Sequence, residues 1–157
     1  MGFELFAQDI DVLQRDLHDF LVNSEARSVL LCDRGGNVIL ADGETMSESP
    51  DLISALTAGA FAATKELAGA LGEDEFSAIL HHGARTSMFI SAIGEEALLL
   101  AKFCDDTNAG LVKMYGQSAC RKIGVTFLEI TRRDEIRIQD PTQTFTAAKG
   151  PIFESDD

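Results

Sequence analysis

The stretch Asp51–Leu71, DLISALTAGAFAATKELAGAL, decides how the rest of the chain is read. It contains no Pro, and Ala and Leu dominate it, so it reads as a helix. Ser49 is placed to cap its start, Pro50 fits the first helical position, and Gly72 fits just past the end. Gly59 and Gly69 lower its propensity and point to close packing. The helix has two non-polar faces. Leu52, Ile53, Leu56, Ala60, Ala63, Leu67 and Leu71 recur at helical spacing and form the expected core stripe. Ala55, Ala58, Ala62 and Gly69 form a second face of small residues, with Gly59 on its border; Lys65 and Glu66 interrupt it, and Phe61 lies away from the core stripe. A helix on a sheet needs one apolar stripe. The second is either a solvated face, since Ala is a good surface helix former, or the place where another chain comes close.

The length of 157 residues suits one domain with a proper core. A net charge of -13 and a pI near 4.5 disfavour nucleic-acid binding and attraction to anionic membranes, and favour a partner with a basic patch. No stretch is long or apolar enough to span a bilayer, so membrane insertion is not expected. The N-terminus, MGFELFAQDIDVLQRDL, is acidic and amphipathic, unlike a signal peptide. Cys32, Cys104 and Cys120 make no CxxC motif, and their odd number reads as reduced thiols in a cytoplasmic protein.

Along the chain, Phe3, Phe6, Ile10, Leu13, Leu17 and Leu21 repeat every three or four residues and predict an amphipathic helix ending near Asn23. Ser28–Asp33 and Val38–Ala41 read as strands of a hairpin around Asp33-Arg34-Gly35-Gly36-Asn37. After the central helix, Phe76–His82, Ser87–Ile93 and Ala97–Phe103 read as an antiparallel meander. Thr107 or Asn108 caps a last helix from Ala109 to about Arg132, whose stripe is Val112, Tyr115, Ala119, Ile123, Phe127 and Ile130; Gly116 and Gly124 in it are candidates for close packing. The order helix-strand-strand-helix-strand-strand-strand-helix predicts an α+β sandwich, a five-stranded antiparallel sheet with helices on both faces. Residues 1–133 form the domain. Residues 134–157, with Pro141, Gly150 and Pro151, form an acidic tail expected to be extended or disordered, whose Ile136, Ile138, Phe145, Ile152 and Phe153 could dock on this or another chain.

No catalytic constellation emerges. The nucleotide patterns GxxxxGK[ST] and GxGxxG are absent. His81 and His82 are adjacent on a predicted strand and point to opposite faces, so they cannot chelate one metal as a pair; one is expected half-buried and the other exposed. His18 lies on a solvated face. Cys104 has Asp105 and Asp106 beside it, which raise rather than lower a thiol pKa. Arg85 reads either as a turn residue or as an arginine finger for another protein's active site. No cofactor or metal is expected, and the chain reads as a binding module rather than an enzyme.

The strand Phe76–His82 has no Lys, Arg or Pro, the usual guards of an edge. It is either internal and already paired, or free to pair with its own copy about a two-fold axis. In the second case Ser77, Ala78, Ile79, Leu80, His81 and His82, with Gly59 of the helix, form a homodimer interface.

The turn Asp33-Arg34-Gly35-Gly36 followed by Val38, and above all LTAGAFAAT at Leu56–Thr64, resemble the Roadblock family of dynein-light-chain-like proteins, and within it the bacterial MglB branch. Leu71-Gly72-Glu73 before Phe76, His82-Gly83 before a strand, and Thr107 with Gly110-Leu111-Val112 opening the last helix also fit; the likeness runs roughly from Phe6 to Arg132. The resemblance implies a Roadblock/profilin-like fold and a homodimer joined through the third strand and the central helices. It implies binding to a small Ras-like GTPase of the MglA type, which governs polarity and motility. GTP hydrolysis would be accelerated by holding the partner's own switch residues, without a donated arginine. A non-catalytic adaptor bridging larger assemblies is the competing reading. By position, the GTPase-facing surface takes in Ala62 and Glu66 with Ala58 and Lys65 beside them; Ala55, Phe61 and Gly69 complete the candidate partner surface. Lys65-Glu66 is a departure: it puts two long charged side chains where small residues can occur in the family.

Overall fold

The computed structural model describes residues 4–44 and 49–139. Phe3 and the segment 140–157, including Phe145, Ile152 and Phe153, lie outside the described residues. The elements are α1 (Ala7–Ser24), β1 (Ser28–Asp33), β2 (Val38–Gly43), α2 (Pro50–Ala70), β3 (Ala78–His81), β4 (Thr86–Ile93), β5 (Ala97–Cys104) and α3 (Ala109–Gln139). The strands form one sheet in the order β2-β1-β5-β4-β3, antiparallel throughout. This is the expected α+β sandwich. The helix α3 runs past the expected end at Arg132, so Asp134–Gln139 are helical rather than part of an extended tail.

Strand alternation divides the apolar residues into two cores. On one face Val29, Leu31, Phe89, Leu99 and Phe103 pack against Leu13, Leu17 and Phe20 of α1 and against Val112, Ile123, Phe127 and Ile130 of α3. On the other, Leu30, Cys32, Ile90, Leu98 and Leu100 meet Ala58 and Phe61 of α2. The first core is larger and is roofed by two helices; α2 lies alone over β1 and β2.

Local chemistry sets the helix ends. Ser49 Oγ accepts from Leu52 N–H at 3.2 Å, and Pro50 follows it at the first position. Of the two candidate caps for α3, Asn108 takes the role: its Oδ1 accepts from Gly110 N–H at 2.8 Å. Thr107 instead donates to Glu25 O at 2.9 Å, tying the start of α3 to the end of α1.

The far end of α3 is clasped to the start of α1. Arg133 forks onto Asp9, Nη1 to Oδ1 at 3.2 Å and Nη2 to Oδ2 at 2.8 Å, and its guanidinium lies 4.2 Å from the Phe6 ring centre. Arg137 adds a 2.7 Å ion pair to Glu4. This explains why Phe6 stays partly exposed: its ring is capped by a cation instead of core carbon. The Arg133 hydrogen bond holds the Asp9 carboxyl below its ordinary value, against a smaller opposing effect of burial.

Gly116 is required where α3 crosses the sheet, since a Cβ there would lie 2.6 Å from a ring carbon of buried Phe89. Gly116→Ala is therefore expected to destabilise by about 1–3 kcal/mol, although helix propensity alone favours Ala by about 1 kcal/mol. Urea unfolding of the variant checks this, and a stability gain would show that Phe89 moves freely.

Asp9 yields a pH signature. A carboxyl held low in the folded state contributes stability above its unfolded pKa and loses that contribution as pH falls through its folded value. The melting temperature of Asp9→Asn should lie below that of the parent near neutral pH, and the gap should close as pH drops below about 4. A gap of constant size down to acid pH would mean that the clasp is not electrostatic.

Candidate partner-docking surface

The outward side of α2 and the free edge of β3 make up the candidate site. The orientation of α2 reverses the sequence expectation. Phe61 is only 1% exposed and Ala58 is buried, together with Ser54, Thr57 and Ala68. The row assigned to the core points away from the sheet: Leu52, Leu56, Leu67 and Leu71 are 45%, 64%, 53% and 67% exposed. Ala63 is exposed too, while Ile53 and Ala60 are half-buried.

The cause is the hairpin turn beneath the helix. Asp33 carboxylate accepts from Asn37 N–H at 2.9 Å and shapes the turn, and Gly36 takes a positive φ of 88°. A Cβ on Gly36 would lie 2.8 Å from the backbone of Ala55. At that separation the helix can offer only small residues to the turn. Ser54 completes the contact by donating Oγ–H to Gly36 O at 2.6 Å. A leucine row could not approach so closely.

Phe61 is the largest side chain that α2 sends inward, with Ile53 half-buried against the same core, and Arg34 covers the ring with its guanidinium 5.1 Å from the ring centre. Arg34 also pairs with Glu75 at 2.7 Å and donates to Gly94 O at 2.6 Å. It thus joins the β1–β2 turn to the segment after α2 and to the β4–β5 turn. Beside it, Ala62 and Lys65 line an open cleft of about 350 Å³ with Glu75, Glu95 and Leu98.

Of the candidate partner residues, Ala55, Ala62, Lys65, Glu66 and Gly69 are exposed. Phe61 and Ala58 belong mainly to this chain's own core, and they reach the surface only along the wall of that cleft. The leucine row, which sequence reasoning placed inside, is the largest apolar feature of the helix's outer side. Gly59 and Gly69 have open space around them, so nothing among the described residues demands a glycine at either place.

Among the described residues β3 lies at the edge of the sheet and pairs only with β4. It spans Ala78–His81, shorter than expected, although Ser77 O still accepts from Ala92 N–H at 3.0 Å. Ser77, Leu80, His81 and His82 are exposed and Ala78 and Ile79 half-buried. Both histidines are exposed, where one was expected to be half-buried; His82 Nδ1 lies 3.2 Å from Ser87 Oγ.

Enzymatic groups do not converge here. Burial pushes the Cys32 and Cys120 thiols up to about 11, which leaves both protonated and inert at neutral pH. Among the described residues no three His, Cys, Asp or Glu side chains are placed to hold a metal, and no helix is long and apolar enough to cross a membrane. Arg85 is exposed in the β3–β4 turn.

A Roadblock/LC7 domain model matches residues 13–103, and the chain belongs to that family. The structure is similar to the gliding protein MglB of Thermus thermophilus at 30% identity, covering 82% of this chain and 97% of that one with a TM-score of 0.77. It is similar to Myxococcus xanthus MglB at 26% identity, covering 81% and 96% with a TM-score of 0.76. An MglB described as having a tetrameric arrangement matches at 29% identity, 82% and 97% coverage and a TM-score of 0.78. No curated protein matches the chain. The likeness to MglB proteins reaches beyond the family model and takes in most of the chain, so the chain is of the MglB-like kind.

The two sides of α2 should respond oppositely to substitution. Phe61→Ala removes a core ring and is expected to cost about 3–5 kcal/mol. Leu56→Asp, on the exposed row, should change the stability of the isolated fold by no more than about 0.5 kcal/mol. Chemical denaturation at low protein concentration separates the two, and a large loss at Leu56 would return the leucine row to the core.

Proposed function

We propose that the chain is a homodimeric regulator of a small Ras-like GTPase of the MglA type. The reading rests on one observation: α2, lying over β1 and β2, turns four leucines away from its own sheet, and the β3 edge at the far end of the same sheet has no second strand beside it among the described residues. Fully burying a leucine is worth about 1.5–3 kcal/mol, so an outward row of them marks a surface that another chain completes. Pairing of two β3 edges about a two-fold axis continues the sheet from one protomer into the next. It also sets two copies of α2 on the same side of the joined sheet as one apolar platform. Ala55, Ala62, Lys65, Glu66 and Gly69 border that platform, and Ser77, Ala78, Ile79, Leu80, His81 and His82, with Gly59, belong to the dimer seam.

The GTPase docks on this platform, and the net charge of -13 selects a partner with a basic surface. Stimulation of hydrolysis then comes from holding the partner's switch segments in the reactive arrangement, because the platform offers small and aliphatic side chains and no general base. A second reading, a Roadblock adaptor that captures a partner without changing its chemistry, is favoured by Lys65 and Glu66. These two long charged side chains stand exposed, at positions where the resemblance allows small residues.

Ala62→Arg is the test. The position is exposed, so the variant should fold and melt like the parent while losing the complex with an MglA-like GTPase on size exclusion. The parent should raise single-turnover GTP hydrolysis by that GTPase. A complex with unchanged turnover selects the adaptor, and neither complex nor stimulation removes both readings.

A further inference from the structure

A second apolar surface lies on the opposite side of the molecule. The solvent side of distal α3 carries Val125, Leu128 and Ile136 at 54%, 69% and 56% exposure. They do not form a smooth ridge. Val125 and Leu128 border a shallow depression of about 500 Å³. Phe6 and Ile136 border another of about 460 Å³, and Arg132 lines both.

The charge of this side is unlike the rest. Six of the chain's 13 basic residues lie in α3, against only three acidic ones, in a protein whose net charge is -13. Arg121 and Arg132 are exposed and form no salt bridge among the described residues, whereas Arg15, Arg34, Arg133 and Arg137 each have one and Arg27 has two.

We propose that residues 140–157 of the same chain turn back and dock along this side of α3, with Phe145 and Phe153 in the two depressions and the acidic end near Arg121 and Arg132. The segment begins directly after Gln139, within a turn of Ile136 and Arg137, which border the depression shared with Phe6. It carries four acidic residues and a single Lys, which complements the basic surplus of α3, and it supplies Phe145, Ile152 and Phe153 as apolar anchors. Its reach is sufficient. Phe145 follows Gln139 by six residues, about 20 Å of extended chain, while Arg132 lies only about 10 Å back along the helix. Phe153 follows by 14 residues, about 45 Å, and Val125 is about 21 Å back. Tethering holds the segment at an effective concentration on the order of millimolar, enough to fill a shallow site that a free peptide would occupy weakly.

Methyl NMR on the full chain tests this. In the parent, the Val125, Leu128 and Ile136 methyls should show upfield ring-current shifts and NOEs to the two phenylalanines. Both should vanish in Phe145→Ala/Phe153→Ala, with the rest of the methyl spectrum unchanged. Arg121→Glu/Arg132→Glu should cut the shifts severalfold, as should raising salt to about 0.5 M, where screening shortens to about 4 Å. Identical α3 methyls in the parent and the phenylalanine variant would overturn the proposal. So would NOEs to the leucine row of α2 instead. A third refutation would come from adding unlabelled parent to the labelled phenylalanine variant: shifts appearing there would mean that a neighbouring copy supplies the segment.

Discussion

The approach of the β1–β2 turn to α2 governs how that helix sits on the sheet. Gly36 brings backbone against backbone at Ala55, and Ser54 locks the contact with its hydroxyl. Only small side chains can face such a neighbour, so the inner side of the helix is Ser54, Thr57, Ala58 and Ala68 with a single ring, Phe61. Arg34 then closes over that ring while pairing with Glu75 and Gly94. Its buried Nε has no partner among the described residues, a cost set against three separate connections being held by one side chain. The interaction is local, yet it determines which side of α2 the solvent sees.

Much of the fold is legible in the sequence because each element carries a pattern of its own. The hairpin turn, the strand runs of β4 and β5, the Ser49-Pro50 start and the α3 stripe each follow from short-range chemistry, and the structure bears them out. The facing of α2 is different. The helix is apolar on nearly every side, so helical periodicity cannot say which row is inside, and large residues are a poor guide when the space below is already filled by Leu30, Leu98 and Leu100. The deciding contact comes from a glycine in a turn some 20 residues earlier, which the helix's own pattern does not contain. The unguarded β3 edge, by contrast, is visible as a run without Lys, Arg or Pro. The far end of α3 lies beyond its expected limit because Arg133 and Arg137 gain partners near the start of α1 that the local sequence does not announce.

The two sides of the sheet differ in how far the chain finishes them. One side is completed within the chain: two helices, a large core and an ion-paired clasp at their ends. The other is covered by one helix that spans β1 and β2 and leaves Ile79, Met88 and Ala92 half-buried. A domain of this size can bury most of its apolar surface by itself, so an unfinished side is a property of the fold as it stands and not of a shortage of chain.

Charge adds a constraint that packing alone does not supply. Two copies of a chain with a net charge of -13 repel one another at long range, so any self-association must draw on desolvated apolar contact and backbone pairing rather than on charge. The β3 edge and the leucine row are suited to that: neither carries an acidic side chain, and backbone hydrogen bonds between edges are insensitive to net charge. A basic partner gains from the same field that opposes the second copy. Salt therefore acts in opposite directions on the two associations, strengthening contact between copies and weakening capture of a positively charged protein. An assembly built in this way orders its steps, with the dimer formed by short-range forces and the partner drawn in by long-range ones.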